Sequence, residues 1–144
     1  ILEDRFDIDI IYDIHEYASP VSLEAFARAI GASVIQGPVD REIYGYTVIN
    51  SLNAILQLSS SEFGRLYGWS TERALVFTEV SNGKSPMVAI RVTPFKPRCV
   101  VFQGITAEEI HPLVPRLAER DRITLMATPL KVKEIIDALR REKW

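Results

Sequence analysis

The chain has 144 residues, 47% of them hydrophobic, enough for one domain with its own core. Its 17 basic and 19 acidic residues leave a formal charge of -2, which gives no electrostatic footprint for nucleic acid as the main partner. No apolar run approaches the roughly 20 residues that span a bilayer. A single cysteine, Cys99, excludes an internal disulfide and fits a reducing, cytoplasmic setting.

The charge is unevenly spread. Residues 1–16 carry Glu3, Asp4, Asp7, Asp9, Asp13 and Glu16 against one base, Arg5. Phosphate repels such a segment, so residues 1–19 read as an acidic N-terminal arm or linker from an upstream module, and residues 20–144 as the domain proper. The start at Ile1 rather than Met predicts a piece of a longer protein. Phe6, Ile8, Ile10, Tyr12 and Ile14 alternate with mostly polar residues, as in a half-buried strand, whereas Ile10, Ile11, Ile14, Tyr17 and Ala18 also fit one helical face. The preferred reading is a strand or extended arm running into a helix, with a break at Ser19-Pro20. Residues 10–31 also resemble the first two helices of a winged helix. The following segment, ASVIQGPVDRE, has no basic helical face to act as a recognition helix, so direct DNA binding by this segment is not expected.

Ser22 caps a helix over Leu23–Ile30, with Leu23, Phe26, Ala27 and Ile30 on one face and Gly31 as its stop. Ala32–Ile35 and Ile43–Ile49 are strands separated by a Gly-Pro turn. Leu52–Leu58 is a helix, and Ser59-Ser60-Ser61 caps another over Glu62–Tyr67, ended by Gly68. Ala74–Thr78 is a wholly apolar strand running into the polar loop Glu79–Ser85. Two readings stay open for Pro86–Val92. Its β-branched residues suit a hairpin through Asn82-Gly83, while Ser85-Pro86 suits an N-cap followed by proline at the first helical position.

Residues 98–129 are the most informative. Cys99–Phe102 and Ile123–Ala127 are continuous apolar runs, which implies burial on both faces of a parallel sheet. Between them, Thr106-Ala-Glu-Glu109 is a capping box, and the regular helix starts near Pro112 because proline belongs in a first turn. Together they make a βαβ unit. Val132, Ile135, Ile136 and Leu139 then form one face of a final helix.

Parallel sheets bind ligands beyond the carboxyl ends of their strands. Two groups of residues occupy those ends. The first is the loop after the middle strand: Thr78, Glu79, Ser81, Asn82, Gly83, Lys84 and Ser85, where a helix starting at Pro86 would favour an anion. The bland alternative is a polar loop with a capping serine, since a lone Gly-Lys-Ser lacks the spacing of a phosphate-binding P-loop. The second group is Gln103, Gly104, Thr106 and Thr128, with turn and capping chemistry as its alternative. His15 and His111 lack a second ligand at metal spacing, and Cys99 in mid-strand is inert. Tyr44, Tyr46, Tyr67, Trp69 and Trp144 are interface candidates, or half-buried packing.

In this order the pieces SLEAFARAIGASVIQG, Asp40-Arg41, IYGYTVIN, ALVFT, CVVFQGI and LAERDRITLMATP resemble the DRTGG domain family over roughly residues 20–140. That family is similar to the N-terminal domain of HPr kinase/phosphorylase and to the regulatory domain of phosphotransacetylases. The chain departs from it in the polar loops, with Thr78-Glu79-Val80-Ser81-Asn82-Gly83 where members carry a Thr-Gly-Asp-Arg-like step, and Phe102-Gln103-Gly104 where they carry Thr-Gly-Gly. The resemblance implies a helix over Pro86–Val92. It also implies a three-layer α/β fold, a mostly parallel sheet with helices on both faces.

Such domains are attached to CBS modules, kinases, acyltransferases or DNA-binding domains, and many form dimers. The expected function is therefore a non-catalytic regulatory domain, ligand-sensing or dimerising, of a larger cytosolic protein such as a transcriptional regulator. The expected partners are a second copy of the chain, a small anionic metabolite or nucleotide, and a fused output module, with no cofactor and no membrane. The alternatives are a purely structural dimerisation module and a small phosphoryl- or acyl-transfer enzyme using Glu79 with Ser81 or Ser85.

Overall fold

The computed structural model describes residues 10–59 and 61–144. In chain order the elements are β1 (Ile11–Ser22), α1 (Leu23–Ala29), β2 (Ser33–Gln36), β3 (Glu42–Ile49), α2 (Ser51–Gln57), a 3-10 helix (Glu62–Tyr67), β4 (Ala74–Phe77), α3 (Lys84–Arg91), β5 (Cys99–Gln103), a second 3-10 helix (Ala107–Glu109), α4 (Leu113–Arg120), β6 (Thr124–Thr128) and α5 (Val132–Arg141). The strands form one sheet in the order β1-β3-β4-β5-β6-β2. The four central strands are parallel, and the edge strands β1 and β2 run antiparallel to their neighbours.

Alternation along the central strands builds a core on each side of this sheet. Ile49, Leu75, Phe77, Val100, Phe102, Leu125 and Ala127 face one way, under α2, α3, α4 and the 3-10 turn at Phe63 and Leu66. Tyr46, Val48, Ala74, Val76, Cys99, Val101 and Met126 face the other, under α1 and α5. Every residue of β4, β5 and β6 is buried, as continuous apolar runs require of a strand covered on both faces. This is the three-layer, mostly parallel α/β fold expected.

Four sequence expectations change. The boundary drawn between residues 19 and 20 falls inside β1, whose residues from Ile11 onward pair with β3. The arm expected over residues 1–19 is thus in its second half an edge strand, and residues 1–9 lie outside the described residues. No helix forms over residues 11–18, which removes the winged-helix likeness. Pro20 does not break the chain, because it sits in the register irregularity between Glu16 and Val21 of an edge strand, where a missing N–H is tolerated. Finally, the helix expected from Pro86 begins at Lys84 with Gly83 as its N-cap, so Ser85 lies within its first turn. Gly83 takes φ +82 and packs on Phe102 so closely that a Cβ there would stand 2.5 Å from the ring. Only glycine meets both demands.

Candidate functional site

β3 and β4 lie side by side and parallel, and each runs at its carboxyl end into a helical segment. From β3 the chain enters α2 through Asn50, whose side chain caps Asn53. From β4 it passes through Thr78–Asn82 into α3. A cleft of about 170 Å³ opens between the two connections, lined by Ser51, Leu52 and Ile55 on one side and by residues 79–83, Ser85 and Pro86 on the other.

Of the first group of predicted site residues, Glu79, Ser81, Asn82, Gly83 and Ser85 line this cleft. Glu79 is exposed and takes φ +52, outside the usual range of a non-glycine residue. Its backbone is held there by Gln103, whose Oε1 accepts the Glu79 N–H at 2.7 Å. Asn82 Oδ1 accepts the Lys84 N–H at 3.0 Å, and the Asn82 carbonyl accepts the His111 N–H at 3.0 Å. Asn82 thus takes the first N–H of α3, while the N-cap residue Gly83 has no side chain to take another, and the helix's positive dipole end faces the cleft. Lys84 is exposed beside it but does not line it.

The remaining predicted residues are tied into the framework. Thr78 Oγ1 donates to the Ile49 carbonyl at 2.7 Å, joining β4 to β3. Gln103 is buried and also donates from Nε2 to the Leu130 carbonyl at 2.9 Å. Thr128 Oγ1 donates to the Ile30 carbonyl at 2.7 Å, Gly104 N–H reaches the Thr128 carbonyl, and Thr106 forms its capping box with Glu109. These residues share the sheet edge with the cleft without lining it.

Sequence reasoning missed Ser51. It is only 7% exposed, and its hydroxyl is one of three buried side-chain polar atoms without a hydrogen-bond partner among the described residues. The signal that could have found it was Asn50, a preferred N-cap residue directly after an apolar strand.

The opposite edge of the sheet carries a different polar cluster. Arg73, fully buried at the start of β4, donates to the carbonyls of Ser70 (2.8 Å) and Tyr46 (3.0 Å), to Thr47 Oγ1 (3.2 Å) and to the Glu16 carboxylate of β1. Burial lowers the guanidinium pKa and the Glu16 charge opposes that shift. Further along β1, Asp13 receives Arg140 of α5 in a two-pronged contact at 2.5 and 3.1 Å, and Tyr46 Oη donates to Asp13 at 2.6 Å. His15 reaches the Trp144 carbonyl at 3.1 Å. Desolvation raises the Tyr46 and Tyr17 hydroxyl pKa values. It also raises that of the Cys99 thiol, leaving the thiol protonated and unreactive. Of the aromatic interface candidates, Tyr46 and Tyr67 are core, while Tyr44 is 39% and Trp69 88% exposed.

Among the described residues there is no group of three metal-ligating side chains, and no helix is long and apolar enough to cross a membrane. α2, α3 and the α3 C-cap also present Leu52, Leu56, Val88 and Val92 to solvent.

No family model matches the chain. It is 46% identical over 144 residues to an uncharacterized HTH-type transcriptional regulator of Methanocaldococcus jannaschii, covering 99% of this chain and 60% of that protein. It is 43% identical over 136 residues to an uncharacterized HTH-type transcriptional regulator of Archaeoglobus fulgidus, covering 94% of this chain and 59% of that protein. The chain thus spans about three fifths of the curated relatives it matches. Its fold is similar to a crystal structure of the CBS and DRTGG domains of the regulatory region of Clostridium perfringens pyrophosphatase, complexed with the activator diadenosine tetraphosphate. The TM-score is 0.54 at 15% identity, covering 83% of this chain and 44% of that one.

Proposed function

We propose that the chain is the DRTGG-like regulatory domain of an HTH-type transcriptional regulator, and that it senses a small metabolite bearing an anionic group. The observation that carries this reading is the cleft at the adjoining carboxyl ends of β3 and β4. It stands where open parallel sheets take their ligands, and the α3 N-terminus suits a negative group. The likeness to two transcriptional regulators supports a role in regulation, with DNA contacts made by the portion of such a protein that the alignment leaves uncovered. The domain is non-catalytic in this reading: Glu79, Ser81 and Ser85 share the cleft, but no histidine lines it to act as their base.

The test is a thermal-shift screen of the chain with carboxylates, phosphorylated metabolites and nucleotides. A ligand at 100 times its dissociation constant adds roughly 2.7 kcal/mol of stability. A clear shift, weakened by Lys84→Ala or by substitutions in the cleft, is the expected result. The absence of any shift across the panel would overturn ligand sensing.

A second reading, homodimerisation through α2 and α3 without a ligand, is favoured by the exposed Leu52, Leu56, Val88 and Val92. Light scattering on the chain and on a Leu56→Glu variant decides it. A concentration-dependent dimer lost in the variant supports it, and a monomer at all concentrations removes it.

A further inference from the structure

A second hollow lies at the other end of the central strands, beside the amino-terminal starts of β3 and β4. It measures about 310 Å³ and is lined by Glu16 and Tyr17 of β1, Tyr44 of β3, and Trp69, Ser70 and Glu72 of the segment entering β4. Trp69 is 88% exposed, so its indole gains almost nothing from packing within the chain. Its backbone is nevertheless pinned on both sides. Gly68 before it takes φ +57 and sits so close to the Glu16 carboxylate that no Cβ fits there. Ser70 after it accepts Arg73 Nε–H on its carbonyl at 2.8 Å, donates its N–H to the Tyr67 carbonyl at 3.2 Å, and accepts the Glu72 N–H on Oγ at 3.0 Å. The Tyr44 N–H in turn donates to the Glu72 carbonyl at 2.7 Å. The fold thus mounts a tryptophan firmly and leaves its ring to solvent. Aromatic side chains presented in this way are the common anchors of recognition.

The lining holds three aromatic rings, two carboxylates and one hydroxyl, and no basic side chain. Aromatic faces attract cations, tryptophan most strongly, and the carboxylates carry the matching sign. Each carboxylate meets an arginine through one oxygen: Glu16 Oε1 meets the buried Arg73, and Glu72 Oε2 meets Arg98 at 3.2 Å. The second oxygen of each has no ion-pair partner among the described residues. This partial neutralisation weakens the field in the hollow. A small hard metal ion gives up its water only to a dense shell of oxygens, and no group of three metal-ligating side chains exists among the described residues. An organic cation holds its water loosely and brings apolar surface to the rings. We infer that this hollow is a site for a small organic cation, an alkylammonium or guanidinium group, held by Trp69 and Tyr44 with Glu72 as its counter-charge. Glu16, fixed by Arg73, and Tyr17, itself buried, complete the walls. The head group belongs either to a free small molecule or to a lysine or arginine side chain of another protein, and both present the same chemistry. The site is independent of the cleft at the carboxyl ends of β3 and β4 and stands or falls separately.

Fluorescence of a Trp144→Phe chain, in which Trp69 is the sole indole, reads the site directly. Phenylalanine keeps an aromatic ring against Tyr17, where Trp144 packs. The probes are tetramethylammonium, 1,4-diaminobutane and Nα-acetyl-arginine amide at low ionic strength, each compared with sodium chloride at the same ionic strength. The expected result is a saturable change in Trp69 emission with at least one organic cation and none with sodium chloride. Isothermal titration calorimetry then compares the unaltered chain with its variants. Trp69→Ala should weaken the binding between about threefold and about thirtyfold, the range a cation–π contact supplies. Glu72→Gln should weaken it to a similar degree and flatten its dependence on salt. Trp69→Ala changes an exposed side chain and should melt with the parent, so it remains the deciding variant if Glu72→Gln loosens the fold by releasing Arg98. A response to tetramethylammonium or the diamine makes the ligand a free small molecule, and a response to the blocked arginine alone makes it a side chain of a partner; both uphold the organic cation. No saturable change with any probe, or binding that Trp69→Ala leaves unaltered, overturns the site.

Discussion

Arg73 and Ser51, at opposite ends of the central strands, are buried in opposite ways. At the amino-terminal edge of β4, Arg73 is fully buried and its donors meet three oxygens of the framework and the Glu16 carboxylate. At the carboxyl edge, Ser51 is also buried but its hydroxyl meets nothing among the described residues. A polar group with every partner supplied by the fold holds that fold together. A polar group left without one is a strain the fold tolerates, and such residues gather where something else binds. Arg73 is thus architecture, while the cleft at Ser51 is recognition only in the reading proposed above, since Tyr17 and Asp121 also carry unpartnered buried oxygens and do not line it.

The sharpest way to break this contrast is Arg73→Ala. It removes several hydrogen bonds at once, opens a cavity under β3 and leaves the Glu16 carboxylate, itself partly covered, without its cation. The expected loss is about 3–5 kcal/mol, read as a lower urea midpoint. The loss should be nearly independent of salt, because the pair is shielded from mobile ions. A loss under about 1 kcal/mol would mean that the cluster is no more than a surface ion pair. Gly83→Ala comes next. The new methyl would meet the Phe102 ring and force an alanine to hold φ +82. The expected destabilisation is about 2–3 kcal/mol, with loss of ligand response because α3 can no longer start where it does. An unchanged stability would show that α3 can begin later, as Ser85-Pro86 alone suggests.

These two sites also mark where the sequence is legible and where it is not. β5 and β6 are readable because Cys99–Gln103 and Thr124–Thr128 are buried on both faces, and burial imposes an unbroken apolar run. The loop Glu79–Ser85 is readable as a strand-end loop because it follows such a run, and most of it lines the cleft. β1 was half hidden: its Asp13, His15 and Glu16 look like solvent-facing residues of an arm. What buries them are Arg140, Trp144 and Arg73, which lie 127, 129 and 57 positions away. No local pattern encodes partners at that distance. The start of α3 was misplaced for a related reason. Ser85-Pro86 has the better local capping chemistry, but the contact between Gly83 and Phe102 across the core decides the boundary. Thr78, Gln103, Thr106 and Thr128 were placed at the correct edge, but their hydrogen bonds turn most of them inward, and only the three-dimensional arrangement separates a lining residue from a supporting one.

The smallest expected effect concerns the second tie of β1, and it tests whether the edge strand is held as one unit. Arg140 grips Asp13 with good two-pronged geometry, and Asp13 also receives the Tyr46 hydroxyl. The hydrogen bond to Asp13 raises the Arg140 pKa, so the guanidinium stays charged at any working pH. The Arg140 side chain is nevertheless 47% exposed, so solvent and salt weaken what the geometry promises. Arg140→Ala should therefore lower stability by about 0.5–1 kcal/mol, and less as salt is raised. Hydrogen exchange locates the effect: the amides that pair β1 to β3 near Asp13 and His15 should exchange faster while those near Glu16 keep their protection. If both ends of β1 loosen together, the Arg73 cluster does not anchor the strand by itself, and the amino-terminal edge is held by the sum of its contacts rather than by the buried arginine.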